Sequence, residues 1–192
     1  MNMAVRILAF IAAFMLLVPA AALADNNDAN ANYLEFGYRN SNPDNVSKSD
    51  QGYFRGSVYI QNNVSFTFEG AAGSLKRSFD GSTKHNLIRL GLAYREMHDF
   101  GYWELAGSYG REEYGNDPDQ YGRIQYGAHG RYRNNFGWDA AVLYNLKDDV
   151  ADRTAGVLLG ARYRASDNLV LVLDSEVYNH DTTIHLGMRW FY

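Results

Sequence analysis

The sequence contains no cysteine, only three prolines and no excess of basic residues. Without cysteine the chain has no disulfide framework, no thiolate zinc site and no thiol nucleophile. Its formal net charge of −4 argues against nucleic-acid binding, which depends on a basic face. A mean hydropathy of −0.39 argues against a helical membrane protein, but not against one built from strands in which every second residue is polar.

One long apolar run is present, at the N-terminus. Residues 7–18 are uninterruptedly apolar, Arg6 precedes them, and the small-x-small tripeptide Ala22-Leu23-Ala24 follows. This pattern predicts a secretory signal peptide at residues 1–24, because the run is too short to span a bilayer comfortably. A permanent N-terminal anchor is the alternative. We expect a polar leader at residues 25–31 and one domain at residues 32–192.

The rest of the chain alternates between apolar and polar residues with a period of two. In residues 33–39 the apolar side chains are Leu34, Phe36 and Tyr38, with Glu35 and Arg39 among the residues between them. Successive side chains of a strand point to opposite faces, so each such segment predicts a strand with one apolar and one charged face. Ten segments of this kind predict an all-β, up-and-down antiparallel transmembrane β-barrel of ten strands. Eight strands result if two pairs merge, and a secreted β-sandwich is the alternative fold.

Polar, turn-rich segments separate these strands. The longest predicted connection is residues 40–51, and residues 179–181 are the shortest predicted loop on the outer side.

Aromatic residues mark one end of the predicted barrel. They open or close strands that meet at the same side of the hairpin array, and three of them follow a Gly-x-x-aromatic spacing. A ring of this kind is typical of a membrane interface and argues against the sandwich. The predicted aromatic girdle consists of Tyr94, Trp103, Tyr132, Trp138, Tyr163 and Trp190.

The C-terminal strand is the most specific feature. It is apolar at every second position and ends on an aromatic residue, through Ile184, Leu186, Met188, Trp190 and Tyr192. The chain thereby resembles the small outer-membrane β-barrel proteins, the group that contains OmpX and the OmpA barrel domain. Residues 32–38 and 52–57 also resemble the opening of a small barrel family from xanthomonad-type bacteria. The resemblance implies the fold, an outer-membrane location and recognition of the last strand by the barrel assembly machinery, although OmpX has eight strands.

The charged face predicts a lumen filled by ion pairs. Acidic residues fall on strands that run one way and arginines on strands that run the other way, so that opposite charges meet across neighbouring strands. This places Glu104 beside Arg89 or Arg123. The predicted network is Glu69, Arg89, Glu104, Arg123, Arg131, Asp139, Arg162, Asp174 and Glu176.

No residue pattern predicts catalysis, a cofactor or a metal. The strongest candidate for an enzyme site is His180-Asp181 with Thr182 and Thr183, but adjacent residues of a strand point to opposite faces. The acidic turns lack the spacing of a calcium-binding loop. We therefore predict no catalytic, metal-binding or cofactor-binding residues.

These features predict a structural or surface-interaction protein of the bacterial outer membrane. The expected partners are membrane lipid, lipopolysaccharide and the assembly machinery, with no nucleic acid and no surface partner identified. A narrow pore for small solutes is the first alternative, and an enzyme at the barrel rim is the second.

Overall fold

The computed structural model describes residues 32–42, 47–77, 81–130, 135–147, 154–179 and 181–192, and these residues form a closed barrel of ten antiparallel strands. Each strand pairs with its neighbours in sequence, and the last strand pairs with the first. The strands are β1 (Tyr33–Ser41), β2 (Ser47–Gln61), β3 (Val64–Arg77), β4 (Gly81–His98), β5 (Gly101–Tyr114), β6 (Asp117–Gly130), β7 (Phe136–Leu146), β8 (Thr154–Ser166), β9 (Leu169–Tyr178) and β10 (Thr182–Phe191). The predicted fold class and the count of ten are confirmed. The predicted signal peptide and leader lie outside the described residues.

The two ends of the barrel differ in their connections. β1 begins and β10 ends at what we call the terminal end, where Tyr33 faces Phe191. The β2–β3 turn at this end consists of Asn62 and Asn63, whose φ angles of 48° and 66° are left-handed. Two consecutive left-handed residues form the tight turn that matches the twist of a hairpin, and asparagine tolerates this conformation better than most residues. We call the opposite end the loop end.

Strands at the loop end extend further than the sequence pattern predicts. The predicted loop at residues 40–51 is wrong at both boundaries, because β1 runs to Ser41 and β2 begins at Ser47. Asn40 pairs with Asp50 across these strands and donates a hydrogen bond of 2.7 Å from Nδ2 to Oδ1. The pattern resembled a loop because both faces of the hairpin are polar here.

The lengths of the loop-end connections also differ from expectation. The longest connection lies between Leu146 and Thr154, and the two residues Gly115 and Asn116 form the shortest one, in place of the predicted residues 179–181. Gly115 has a φ of 70°, which glycine adopts without strain.

The outer face of the barrel is a continuous apolar surface. At least half of each of its most exposed large side chains is accessible: Ile60, Leu90, Leu92, Leu105, Tyr109, Tyr126, Phe136, Val142, Leu159, Leu173, Leu186, Met188 and Trp190. Apolar patches on soluble monomers rarely exceed a few hundred Å², so a belt around the whole barrel needs an apolar environment. Within the described residues, no helix has the length and apolar character needed to cross a membrane.

The lumen contains apolar side chains as well as charged ones. At the terminal end, Val170, Val172 and Phe191 are almost fully buried and pack against Tyr33. Two further apolar clusters face the lumen, one around Tyr53 with members on β2, β3, β4 and β6, and the other around Leu143 with members on β7, β8 and β9. The alternation placed these residues on the charged face, but it did not indicate that they fill the space between the ion pairs.

Candidate functional site

The lumen-facing charges form the main polar feature of the molecule. Strand alternation turns these charged side chains towards the lumen, where they are buried or line a cavity inside the barrel. This holds for eight of the nine residues of the predicted network, namely Glu69, Arg89, Glu104, Arg123, Asp139, Arg162, Asp174 and Glu176. Arg131 lies outside the described residues.

Glu35 is the most completely buried charge of the lumen, with no exposed surface. Its carboxylate lies 2.7 Å from Nε of Arg55 and accepts a hydrogen bond of 2.9 Å from Nε of Arg189. Tyr53 Oη donates a third contact of 2.7 Å. Because β1 lies between β2 and β10, Glu35 directly faces both arginines.

Glycine makes room for the tyrosine at this centre. A Cβ atom at Gly187 would lie 2.3 Å from Tyr53 Oη, so a side chain at this position would displace the phenol that bonds Glu35. The alternation placed Glu35 on the charged face, but it did not indicate the contact with Tyr53 or the space that Gly187 leaves for the phenol.

Glu104 pairs with a different arginine from the two that were expected. Its carboxylate accepts a hydrogen bond of 2.8 Å from Nε of Arg95, the residue that faces it across β4 and β5. Arg89 instead pairs with Glu69, which faces it across β3 and β4. The prediction was wrong because strand direction indicates only which strands are neighbours. Which residues face each other depends on the register between those strands.

Charge reversal at Glu104 tests this pairing. We expect Glu104→Lys to destabilise the barrel by about 3–5 kcal/mol, since it leaves Arg95 beside a second buried cation. Arg95→Glu in the same chain should recover part of the loss, whereas Arg123→Glu should add to it. Urea unfolding of the single and double variants in detergent measures both effects. If Arg95→Glu and Arg123→Glu restored stability to the same extent, the result would contradict the observed register.

Two hydrogen-bonded ion pairs, those of Arg123 and Arg55, cross the lumen rather than follow the wall. Arg123 on β6 bonds both Glu176 and Tyr178 on β9. Arg55 on β2 bonds Asp174, also on β9. Because these contacts join strands that are not neighbours, they cross the lumen and divide it.

Asp139 on β7 contacts one partner on each neighbouring strand. It faces His129 across β6 and β7 and bonds its Nδ1 atom, and Arg162 of β8 lies 2.5 Å from the same carboxylate oxygen. Asp139 therefore carries one negative charge between a cation and an imidazole.

Two cavities remain inside the barrel. The outer cavity, near the loop end, has a volume of about 430 Å³, and the inner cavity has about 130 Å³. Both are bordered by Arg89, Arg123 and Glu176, which separate them. Asp181, in the β9–β10 connection, also lines the outer cavity, and burial raises the pKa of its carboxyl.

Three residues at the loop end have the composition of a serine-hydrolase triad. Ser49 Oγ lies 2.5 Å from Nδ1 of His85, and Nε2 of His85 lies 2.7 Å from Glu112 Oε1. However, Glu112 lines the outer cavity, whereas Ser49 lies behind the imidazole and is fully buried. A substrate in the cavity would meet the carboxylate and not the nucleophile, so the geometry favours a role for Ser49 and His85 in orienting Glu112.

Chemical labelling tests this interpretation. We expect a fluorophosphonate probe to leave Ser49 unmodified in the folded barrel, because the hydroxyl is shielded from the cavity by His85. A matched reaction with an active serine hydrolase controls the reagent, and intact mass measures the adduct. An adduct on Ser49 that disappears in His85→Gln would show that the triad is active.

Only part of the strongest candidate for an enzyme site, His180-Asp181 with Thr182 and Thr183, lies within the described residues. His180 lies outside the described residues, and Thr182 and Thr183 point to opposite faces of β10, exposed and buried respectively. Among the described residues, no group of three potential metal ligands comes together.

The predicted aromatic girdle lies at the terminal end. Its members there are on the outer face and at least one-third exposed, namely Tyr94, Trp103, Trp138, Tyr163 and Trp190. Tyr132 lies outside the described residues. Phe136, which the pattern did not assign to the girdle, packs against Tyr163 with ring centroids 5.0 Å apart.

The predicted assembly signal forms the closing strand. Ile184, Leu186, Met188 and Trp190 lie on the outer face of β10, and Tyr192 follows the strand. The amide of Tyr192 donates a hydrogen bond of 3.2 Å to the carbonyl of Asn32, which extends the closure by one residue.

Comparisons with known proteins find similarity in structure alone. No protein-family model matches the chain, and no curated protein is similar to it at a significant level. A structure of the KdgM porin in complex with disordered oligogalacturonate shares 12% identity over 82% of this chain and 99% of that chain, with a TM-score of 0.42. Ail, the attachment invasion locus protein of Yersinia pestis, shares 13% sequence identity over 85% of this chain and 99% of that chain, with a TM-score of 0.32.

A mutant porin of Rh. blastica shares 10% identity over 84% of this chain and 99% of that chain, with a TM-score of 0.25. Similarity at these levels assigns neither a family nor a ligand. The resemblance to the OmpX group therefore stays a prediction from the sequence.

Proposed function

We propose that this protein is an integral barrel of the bacterial outer membrane, with its lumen plugged and a structural or surface-interaction role. The observation that carries the proposal is the apolar belt around the outer face, combined with polar side chains inside. In a membrane only a closed barrel or a helix satisfies all of its backbone hydrogen bonds. The predicted signal peptide supports export from the cytoplasm.

The outer face supports an orientation with the terminal end in the periplasm. The aromatic girdle lies at that end, and towards the loop end the outward residues change from apolar to charged. On β4, for example, Leu90 and Ile88 are followed by Asn86 and Lys84. Tyr38 and Tyr109 lie close to this change and bond the polar residues Asp50 and Gln120, as tyrosine does at a membrane interface.

Strands β2 to β6 extend beyond this change and form a raised wall at the proposed cell surface. They contain 14 to 18 residues, whereas β9 and β10 contain ten each. About 9–11 residues suffice to cross a membrane as a tilted strand. Among the described residues, the part that extends beyond the change is therefore mainly strand, which favours contact with lipopolysaccharide or a flat partner surface.

The side chains inside the lumen support the proposal that the lumen is plugged. The apolar cluster of Val170, Val172, Phe191 and Tyr33 occupies the terminal end beside β9, β10 and β1, and ion pairs from Arg55 and Arg123 cross the lumen. Barrels of about eight strands are filled by side chains, and open aqueous channels require many more strands.

Planar-bilayer recording tests the plug. We expect the purified barrel to insert without steady conductance steps, and a known porin in the same preparation serves as the positive control. Heat-dependent mobility on mild detergent gels confirms in parallel that the protein is folded. Steady steps from the folded barrel would contradict the plug.

A narrow pore is the second candidate function, and the two adjoining cavities favour it. Of the residues that the structure describes, Arg89, Arg123 and Glu176 border both cavities, so a path would have to pass between these three residues. If the wild type conducts, Arg123→Ala should enlarge its steps. If the plug is correct, the same variant stays silent because the terminal-end cluster is intact.

A further inference from the structure

One wall of the outer cavity carries several buried polar atoms that have no hydrogen-bond partner among the described residues. This wall, which we call the β1–β10 patch, consists of Arg39, Ser41, Thr183 and His185. Arg39 faces His185 directly across the two strands, and Ser41 faces Thr183. All four side chains are at least nine-tenths buried, and all four line the cavity.

Hydrogen-bonding groups of the patch are unsatisfied within the described part of the chain. Nε of Arg39, Oγ of Ser41 and both ring nitrogens of His185 are buried without a hydrogen-bond partner there. Buried polar groups are almost always paired, because leaving them without a partner is costly. Four such atoms on one small wall therefore point to a group that the described residues do not supply.

The arginine of the patch is held differently from the other lumen arginines. Arg39 approaches Glu69 and Glu112 only at 3.8 Å in each case, beyond hydrogen-bond distance. Arg95, by contrast, bonds its carboxylate at 2.8 Å. Glu69 already bonds Arg89, and Glu112 already bonds His85. Arg39 is thus a buried cation that lies beyond hydrogen-bond distance of both carboxylates, including Oε1 of Glu69, which has no hydrogen-bond partner among the described residues.

We propose that the β1–β10 patch binds the carboxylate or phosphate group of a small solute that enters from the loop end. A guanidinium, a hydroxyl and an imidazole on one wall are the donors that such an oxyanion requires, and arginine offers its planar fork. The cavity lies inside the barrel, where the acyl chains of a lipid cannot follow, so the ligand is a soluble molecule. This site goes beyond the structural role proposed above and requires only a folded barrel.

Direct titration tests the site. The purified barrel in detergent is titrated with inorganic phosphate and, separately, with acetate, at ionic strength held constant with chloride. We expect saturable binding of at least one of the two anions by calorimetry, with a matching rise in the unfolding temperature. Arg39→Gln should weaken binding about tenfold or more, since it removes a charge-assisted hydrogen bond.

Two further variants keep the test independent of folding defects. Ser41→Ala removes one donor without disturbing an ion pair and should weaken binding about threefold, as expected for a neutral hydrogen bond. Lys84→Gln removes an exposed cation from the outer face near the same end and should leave the affinity unchanged.

Two results would overturn the proposal. The absence of saturable binding of either anion would mean that water alone satisfies the patch. Binding that is unchanged in both Arg39→Gln and Ser41→Ala would place the anion elsewhere. Neither result bears on the membrane location or on conductance, so failure here is distinguishable from failure of the proposed function.

Discussion

Glu35→Gln should destabilise the barrel by about 3–5 kcal/mol, because it leaves two buried arginines without their shared counter-charge. Glu35 is fully buried between Arg55 and Arg189, which face it from both neighbouring strands. The substitution keeps the shape of the side chain, so the loss reports charge rather than packing. Urea unfolding in detergent, followed by tryptophan fluorescence, gives the change in the free energy of unfolding.

The matched control for Glu35 is an exposed acid. Asp99→Asn, in the β4–β5 turn, removes the same charge from the surface and should change the free energy of unfolding by no more than about 0.5 kcal/mol. If Glu35→Gln proved as mild as this control, the ion pairs of the lumen would contribute little and the apolar clusters would hold the barrel together.

Deletion of residues 190–192 should lower the folded fraction about tenfold or more, since each backbone group left unpaired in a membrane costs several kcal/mol. Trp190 pairs with Leu34 and Phe191 with Tyr33, so the deletion opens the closing seam. It also removes Phe191 from the cluster at the terminal end. The heat-modifiable band on mild detergent gels measures the folded fraction, and outer-membrane fractions measure assembly.

Two variants separate closure from a general effect of changing β10. Tyr192→Ala keeps the strand and should cause a smaller loss than the deletion. Thr182→Ala, at the exposed opposite end of the same strand, should be tolerated. Wild-type levels of the deletion variant would show that the last residues are dispensable for closure.

Alternation in the sequence predicted the two faces of nearly every strand, because strand geometry alone fixes which side chains share a face. It could not predict which charges meet. The pairing of Arg95 with Glu104 depends on register, and the bond between Arg123 and Glu176 depends on how wide the lumen is. The alternation of apolar and polar residues reveals neither the register nor the width of the lumen.

The ends of the strands and the outer cavity were missed for a related reason. At the loop end the outward residues are polar, as Lys84 and Asn86 are, so the contrast between faces disappears while the backbone pairing continues. Arg39 and His185 are far apart in sequence and face each other only because β10 closes onto β1. Composition gives no signal for such a pair.

The central claim, that the apolar outer face contacts lipid, is tested most directly by site-directed spin labelling. The chain has no cysteine, so single cysteines introduced at Leu173, Leu186 and Lys84 carry the label without background. In lipid vesicles, the labels at Leu173 and Leu186 should be accessible to oxygen and shielded from a water-soluble nickel chelate, and the label at Lys84 should show the reverse. Chelate access at all three positions would contradict the account, because it would place the entire outer face in water.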